Sequence, residues 1–131
     1  MQLLWLWLPV ALDAALIFVL SSIPQLPSPP GPFSDKHIHF GWYAVFTVLL
    51  VRALASGRLR NVTGRVAIAA ILLAAFYGLT DEIHQSFVPG RSADPYDLLA
   101  DTAGAVAAAG LLLAWAIIRR RRQAAESAGS A

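Results

Sequence analysis

Residues 66–87 read VAIAAILLAAFYGLTDEIHQSF, and this stretch decides the fold. Its first fifteen residues, from Val66 to Thr80, carry no charge, and Arg65 stands immediately before them. Nothing in Asp81-Glu82-Ile83-His84-Gln85-Ser86-Phe87 breaks a helix, whereas Pro89-Gly90 does. One helix is therefore predicted from just after Arg65 to about Phe87. It is long enough to cross a hydrocarbon core of about 30 Å at 1.5 Å per residue. Asp81 lies 16 positions beyond Arg65, or roughly 24 Å, still beneath the far boundary of the bilayer. A carboxylate at that depth costs several kcal/mol, of the order of 3, unless it is paired or hydrated, and such residues mark functional sites by default.

Three further apolar runs flank this one. Leu3 to Leu20 is interrupted only by Asp13. It lacks a basic leading segment and a small-residue cleavage site, so an uncleaved span is expected rather than a signal peptide. Ile38 to Val51 is short, but Lys36 and Arg52 can snorkel to extend it. Tyr96 to Ile118 is opened by Pro95, a residue suited to a helix start, and closed by four arginines. Within it Ala100, Gly104, Ala107, Ala108 and Gly110 predict close packing on a neighbouring helix. Between the first two runs, Ser21 to Ser34 is rich in proline and should be extended or turned. The composition agrees: 57% hydrophobic and 14% charged residues cannot cover a water-facing surface on a domain of 131 residues. The expected fold is an all-α polytopic membrane bundle of about four helices, with one domain over residues 1–122 and a disordered tail over 123–131.

Charge sets the expected orientation. Arg52, Arg58, Arg60 and Arg65 surround the second connection and Arg119 to Arg122 follow the last span, leaving only Lys36 and Arg91 at the other end. The positive-inside rule makes the arginine-rich side cytoplasmic, with both termini inside. The tetra-arginine run is expected to be a membrane anchor rather than a nucleic-acid contact. Trp5, Trp7, Tyr96 and Trp115 suit the interfacial belt. With no cysteine in the chain, disulfides and thiolate-held metals are excluded, leaving histidine and carboxylate as side-chain metal ligands.

The acids gather at the opposite end. Asp35, Asp81, Glu82, Asp94, Asp97 and Asp101 all fall there, with His37 and His39 nearby. Asp81 should share a helix face with His84 and Gln85, and Glu82 with Gln85. Lys36, His39 and Tyr43 form one stripe, and Asp94, Asp97 and Asp101 another. Converging stripes of this kind could hold an anionic head group, a divalent metal or a proton relay. Any single residue among them could equally be part of a buried pair that only locks helices together, whereas the whole set at one end favours function.

The residues Asp35-Lys36-His37-Ile38-His39-Phe40 with Tyr43, Asp81-Glu82 through Gln85, Phe87 and Pro89-Gly90-Arg91, and Asp97 with Gly104 resemble, in order and spacing, the motifs of VanZ-like membrane proteins. One departure stands out, since Asp101 occupies a position where that family usually shows asparagine. The resemblance implies a bacterial cytoplasmic-membrane protein connected with glycopeptide antibiotic resistance, with its polar site on the extracytoplasmic side. It points to Asp35, Lys36, His39, Tyr43, Asp81, Glu82, Gln85, Arg91, Asp97 and Gly104. The leading expectation is a protein that binds or modifies an anionic lipid-linked molecule, such as a cell-wall precursor, among membrane lipids. Asp81, Glu82 and His39 would be catalytic, and a divalent metal held by carboxylate and histidine could assist. Asp35, Lys36, Tyr43, Gln85, Arg91, Asp97 and Asp101 would bind the ligand. The alternatives are a small transporter or proton relay, motivated by Asp13, and a non-catalytic scaffold.

Overall fold

The computed structural model describes residues 2–24 and 35–129. Four helices follow one another: α1 (Gln2–Ser21), α2 (Asp35–Leu54), α3 (Gly64–Gln85) and α4 (Pro95–Gly129), with a single 3-10 turn at Leu59–Asn61 before α3. All four are long and apolar enough to cross a membrane. Large side chains such as Leu72, Phe76 and Leu111 point outward and are more than three-fifths exposed. A soluble protein would bury them, whereas lipid solvates them. The chain is an integral multi-pass membrane protein.

Local chemistry explains the helix boundaries. In α1, Pro9 has no N–H to give to the carbonyl of Trp5, and Arg52 Nη1 at the end of α2 donates to that oxygen at 3.2 Å. Thr63 caps α3, its hydroxyl accepting from the Val66 N–H. The same helix stops at Gln85, two residues short of the expected end. Phe87 N–H turns back to the His84 carbonyl and Val88 N–H to that of Gln85. Gly90, at φ +81°, then makes a turn that a side chain would strain. Asp94 opens α4, its carboxylate accepting from the Tyr96 N–H at 2.8 Å, with Pro95 in the first helical position.

α2 and α4 form the tightest pair. Gly104 is buried where α4 crosses α2, and a Cβ there would overlap the carbonyl oxygen of Phe40. Ala105 and Ala109 continue this small face into one buried core with Tyr43, Phe46, Leu50 and Val51, and Ala108 is buried as well. Gly110, expected on the same face, is exposed, with nothing close to where a Cβ would lie. Six residues of helix rotate it by about 240° from Gly104.

α1 packs on the outside of this core through Val10 and Ile17. At one end of the bundle Arg120 Nη1 donates to the carbonyls of Arg60 and Val62, so the last span is tied to the turn before α3. α4 continues as helix to Gly129, where the sequence predicts disorder from residue 123. Gln123, Glu126 and three alanines are good helix formers, and nothing before Gly129 interrupts them. The expected extended loop falls largely on residues 25–34, outside the described residues.

Candidate functional site

The starts of α2 and α4 and the end of α3 meet at the end of the bundle opposite the arginines. Lys36, in the first turn of α2, donates from Nζ to Asp94 Oδ2 and to Asp97 Oδ1, both at 2.7 Å. One turn deeper, His39 Nδ1 lies 2.9 Å from Asp101 Oδ1. Its other nitrogen, Nε2, is 3.9 Å from Asp97 Oδ2 and 4.0 Å from Asp35 Oδ2. An ionised Asp101 can only accept, so the pair places the proton on Nδ1 and leaves Nε2 facing the rim. Asp101 is completely buried, and Asp35 stands exposed at the mouth.

α3 closes the other side. Asp81, Glu82 and Gln85 are all buried. Gln85 Nε2 donates to Asp81 Oδ2 at 2.9 Å and makes a long contact of 3.5 Å with Glu82 Oε1. Glu82 Oε2 accepts the Asp94 backbone N–H at 2.7 Å. Asp94 thus touches all three helices: it caps α4, binds Lys36 of α2 and donates to Glu82 of α3. The Lys36 ammonium beside it holds its carboxyl below the usual carboxylate range, helped by the Tyr96 N–H.

Gly78, one turn before Asp81, lets this approach happen. A Cβ there would stand 3.0 Å from Asp101 Oδ2 and 3.2 Å from the Tyr43 ring. Tyr43 is buried, and its hydroxyl, Asp101 Oδ2 and Asp81 Oδ1 have no hydrogen-bond partner among the described residues. Two sets of ligand-type atoms cluster within 4.8 Å of one another: Asp35, His39 and Asp97 at the rim, and His39, Glu82 and Asp101 below it.

The structure brings Asp35, Lys36, His39, Tyr43, Asp81, Glu82, Gln85, Asp97 and Asp101 to this end of the bundle. Arg91 lies in the turn after α3, with its Nε buried and unpartnered among the described residues. His84 does not share the Asp81 face, as the spacing predicts. Its Nε2 is 2.9 Å from Ser22 Oγ, just past the end of α1, and its ring stacks on Phe18 of α1 at 4.4 Å. About 200° separates His84 from Glu82 around the helix, so one turns to α1 when the other turns to α4. One contributor, Gly78, escapes the sequence reading of the site, and Asp94 is read there only as part of an acidic stripe, not as the cap of α4. Gly78 could have been found as an interior glycine one turn from the Asp81-Glu82 pair. The capping role of Asp94 could have been read from an acid standing directly ahead of a proline. Asp13 lies beside the indole of Trp42 between α1 and α2. The separation is too great, or the angle too poor, for a hydrogen bond, because Asp13 Oδ2 and Trp42 Nε1 are both unsatisfied among the described residues.

Comparison with known proteins finds a family model described as VanZ/LLP1, matching residues 7–119. No curated protein and no solved structure matches the chain significantly.

Proposed function

This chain belongs to the VanZ/LLP1 family, and from that premise we propose that it binds or modifies an anionic, lipid-linked, cell-wall-related molecule at the outer face of the bacterial cytoplasmic membrane. The observation that carries the reading is the pairing of half-buried His39 with fully buried Asp101, which leaves the second imidazole nitrogen toward a rim of Lys36, Asp35 and Asp97. A carboxylate that fixes an imidazole in one tautomer prepares it for proton transfer or for ligation. In the catalytic version His39 acts on the bound molecule and Glu82 or Asp81 serves as base or ligand. Lys36 and Arg91 supply positive charge. An arriving anion would compete with Asp94 and Asp97 for Lys36, so the lysine contributes as part of a shared network rather than as a free cation.

The surroundings suit a lipid-borne partner. Ile83, Phe87, Tyr96 and Leu99, beside the site in sequence, are all more than half exposed, as expected of walls that face acyl chains and head groups. With the arginine end cytoplasmic, this site stands at the outer head-group level and both termini lie inside. An effect on glycopeptide resistance would follow if the protein altered the antibiotic's access to a lipid-linked precursor.

Native mass spectrometry of the gently purified protein tests the proposal, with a Glu82→Gln variant measured beside it. A specific phospholipid-like or polyprenyl adduct should accompany the parent protein. An enzyme should lose turnover in the variant, whereas a binder should keep most of its adduct and show no turnover in either form. A clean protein mass in both, with no effect on envelope phenotypes when Asp81, Glu82 and Asp97 are neutralised together, would refute it in favour of a scaffold.

A further inference from the structure

We infer that His39, Glu82 and Asp101 form a binding site for one divalent first-row transition-metal ion. This deepens the function proposed above, since the cation would let an acid-rich site accept an anion.

Three observations converge. First, ligand atoms of these three residues, one from each of α2, α3 and α4, lie within 4.8 Å of one another. His39 Nδ1 and Asp101 Oδ1 are 2.9 Å apart, a separation compatible with neighbouring ligands each about 2.1 Å from one ion. Second, polar atoms are left over at the cluster. Asp101 is fully buried and Asp81 only 5% exposed, yet Asp101 Oδ2 and Asp81 Oδ1 receive no hydrogen bond among the described residues. Third, the charges do not balance. Asp81, Glu82, Asp97 and Asp101 are buried carboxylates, and among the described residues the cations hydrogen-bonded to them are Lys36 and, when protonated, His39. Lys36 is shared with Asp94 besides. Two negative charges remain inside the outer leaflet, where unpaired charge is costly. A divalent cation that takes the place of one His39 proton lowers that excess to a single negative charge, which a shared proton can offset.

The donor set narrows the ion. One imidazole with carboxylates suits Zn²⁺ or Mn²⁺, whereas Mg²⁺ and Ca²⁺ favour oxygen alone. On binding, the ion displaces the Nδ1 proton of the doubly protonated His39, which leaves to solvent, while the proton on Nε2 is kept. Nε2–H is then directed toward Asp97 and Asp35, giving the histidine the outer carboxylate partners that metal-ligating imidazoles usually have. Three protein ligands leave a coordination position for water or a phosphate-type oxygen.

The test is metal analysis on the intact protein in detergent. Protein stripped with a chelator is dialysed against Zn²⁺ or Mn²⁺ at micromolar concentration, washed, and its bound metal counted by elemental mass spectrometry. The parent chain and a Glu126→Gln control in the exposed tail should each retain about one ion. Glu82→Gln and Asp101→Asn should bind at least about 10-fold more weakly, with elution profiles unchanged. Asp101→Asn conserves shape, and should it fail to fold, the parent stoichiometry with Glu82→Gln alone still decides. Retention well below one ion by folded parent protein would overturn the site, and so would equal retention in the variants. Lipid adducts measured on the stripped protein separate this result from the proposed function. An adduct kept without metal preserves that function when the metal site fails.

Discussion

Replacing Gly104 with alanine should destabilise the bundle and open the site together. The added Cβ falls on the Phe40 carbonyl oxygen, and that obstacle is backbone, which cannot rotate aside. An ordinary carbon–oxygen approach of about 3.3 Å requires α2 and α4 to part by the order of 1 Å. Forcing atoms into packed interiors typically costs about 1–3 kcal/mol, and a backbone obstacle belongs near the upper end. Alanine recovers about 1 kcal/mol of helix propensity over glycine, leaving a net loss of about 2 kcal/mol. The displacement acts at the residue next to His39 and one turn from Asp101, so their 2.9 Å contact should lengthen beyond hydrogen-bond range. Gly110→Ala is the matched control, since nothing lies near its Cβ position and only the propensity gain, at most about 1 kcal/mol, remains. Reversible unfolding in mixed micelles would compare the two. Opposite signs are expected, and a Gly104→Ala protein as stable as its parent would refute the helix contact on which the site is built.

Lys36→Met should move the Asp94 carboxyl back toward the ordinary carboxylate range, visible as an upward shift in its NMR titration, with the Tyr96 N–H still holding it partly down. Because the folded state lowers the Asp94 pKa, its stabilisation is present above the unfolded value and fades as pH falls through the folded one. The variant should therefore lose part of the acid dependence of unfolding, and an unchanged titration would show that Lys36 does not hold Asp94. For His84, a double-mutant cycle with Ser22→Ala and His84→Ala should give a coupling of about 0.5–1.5 kcal/mol in stability. Ligand or metal retention should be unaffected, and its loss in His84→Ala would move that histidine into the site. Orientation can be read directly because the chain has no cysteine. Ser92→Cys should react with a membrane-impermeant thiol reagent on intact cells and Ser127→Cys only after permeabilisation, with the reverse pattern contradicting the positive-inside assignment.

The spans were legible because hydropathy over about 20 residues is a property of contiguous sequence. The stripes of α2 and α4 were legible for a related reason: spacings of three and four set one helix face whatever packs against it. Partner choice was not. Gln85 and His84 both lie within one turn of Asp81, about 40° ahead and 60° behind, and local geometry alone hardly separates them. What separates them is tertiary: the end of α1 and the turn after it present Phe18 and Ser22 on one side of α3, and the cap of α4 presents the Asp94 N–H on the other. The same limit applies to Lys36. Sequence marks it as a cation among acids, but that two carboxylates hold it depends on where α4 begins.

That beginning is what joins the fold to the site. Asp94 must cap α4 for the helix to start at Pro95, and the same residue binds Lys36 and gives its N–H to Glu82. The capping register fixes Asp97 and Asp101 at one and two turns beyond, level with Lys36 and His39 on α2. Gly104 then allows α4 close enough to α2, and Gly78 leaves room on α3, for Asp101 to reach His39 while its other oxygen lies against α3. Each of these features has an ordinary structural purpose taken singly. Together they hold four carboxylates out of water around one imidazole and one shared ammonium. A bundle needing only to be stable could replace buried ion pairs with apolar side chains at little cost or with a gain. The retention of so much uncompensated charge at one end therefore argues for a task that uses it.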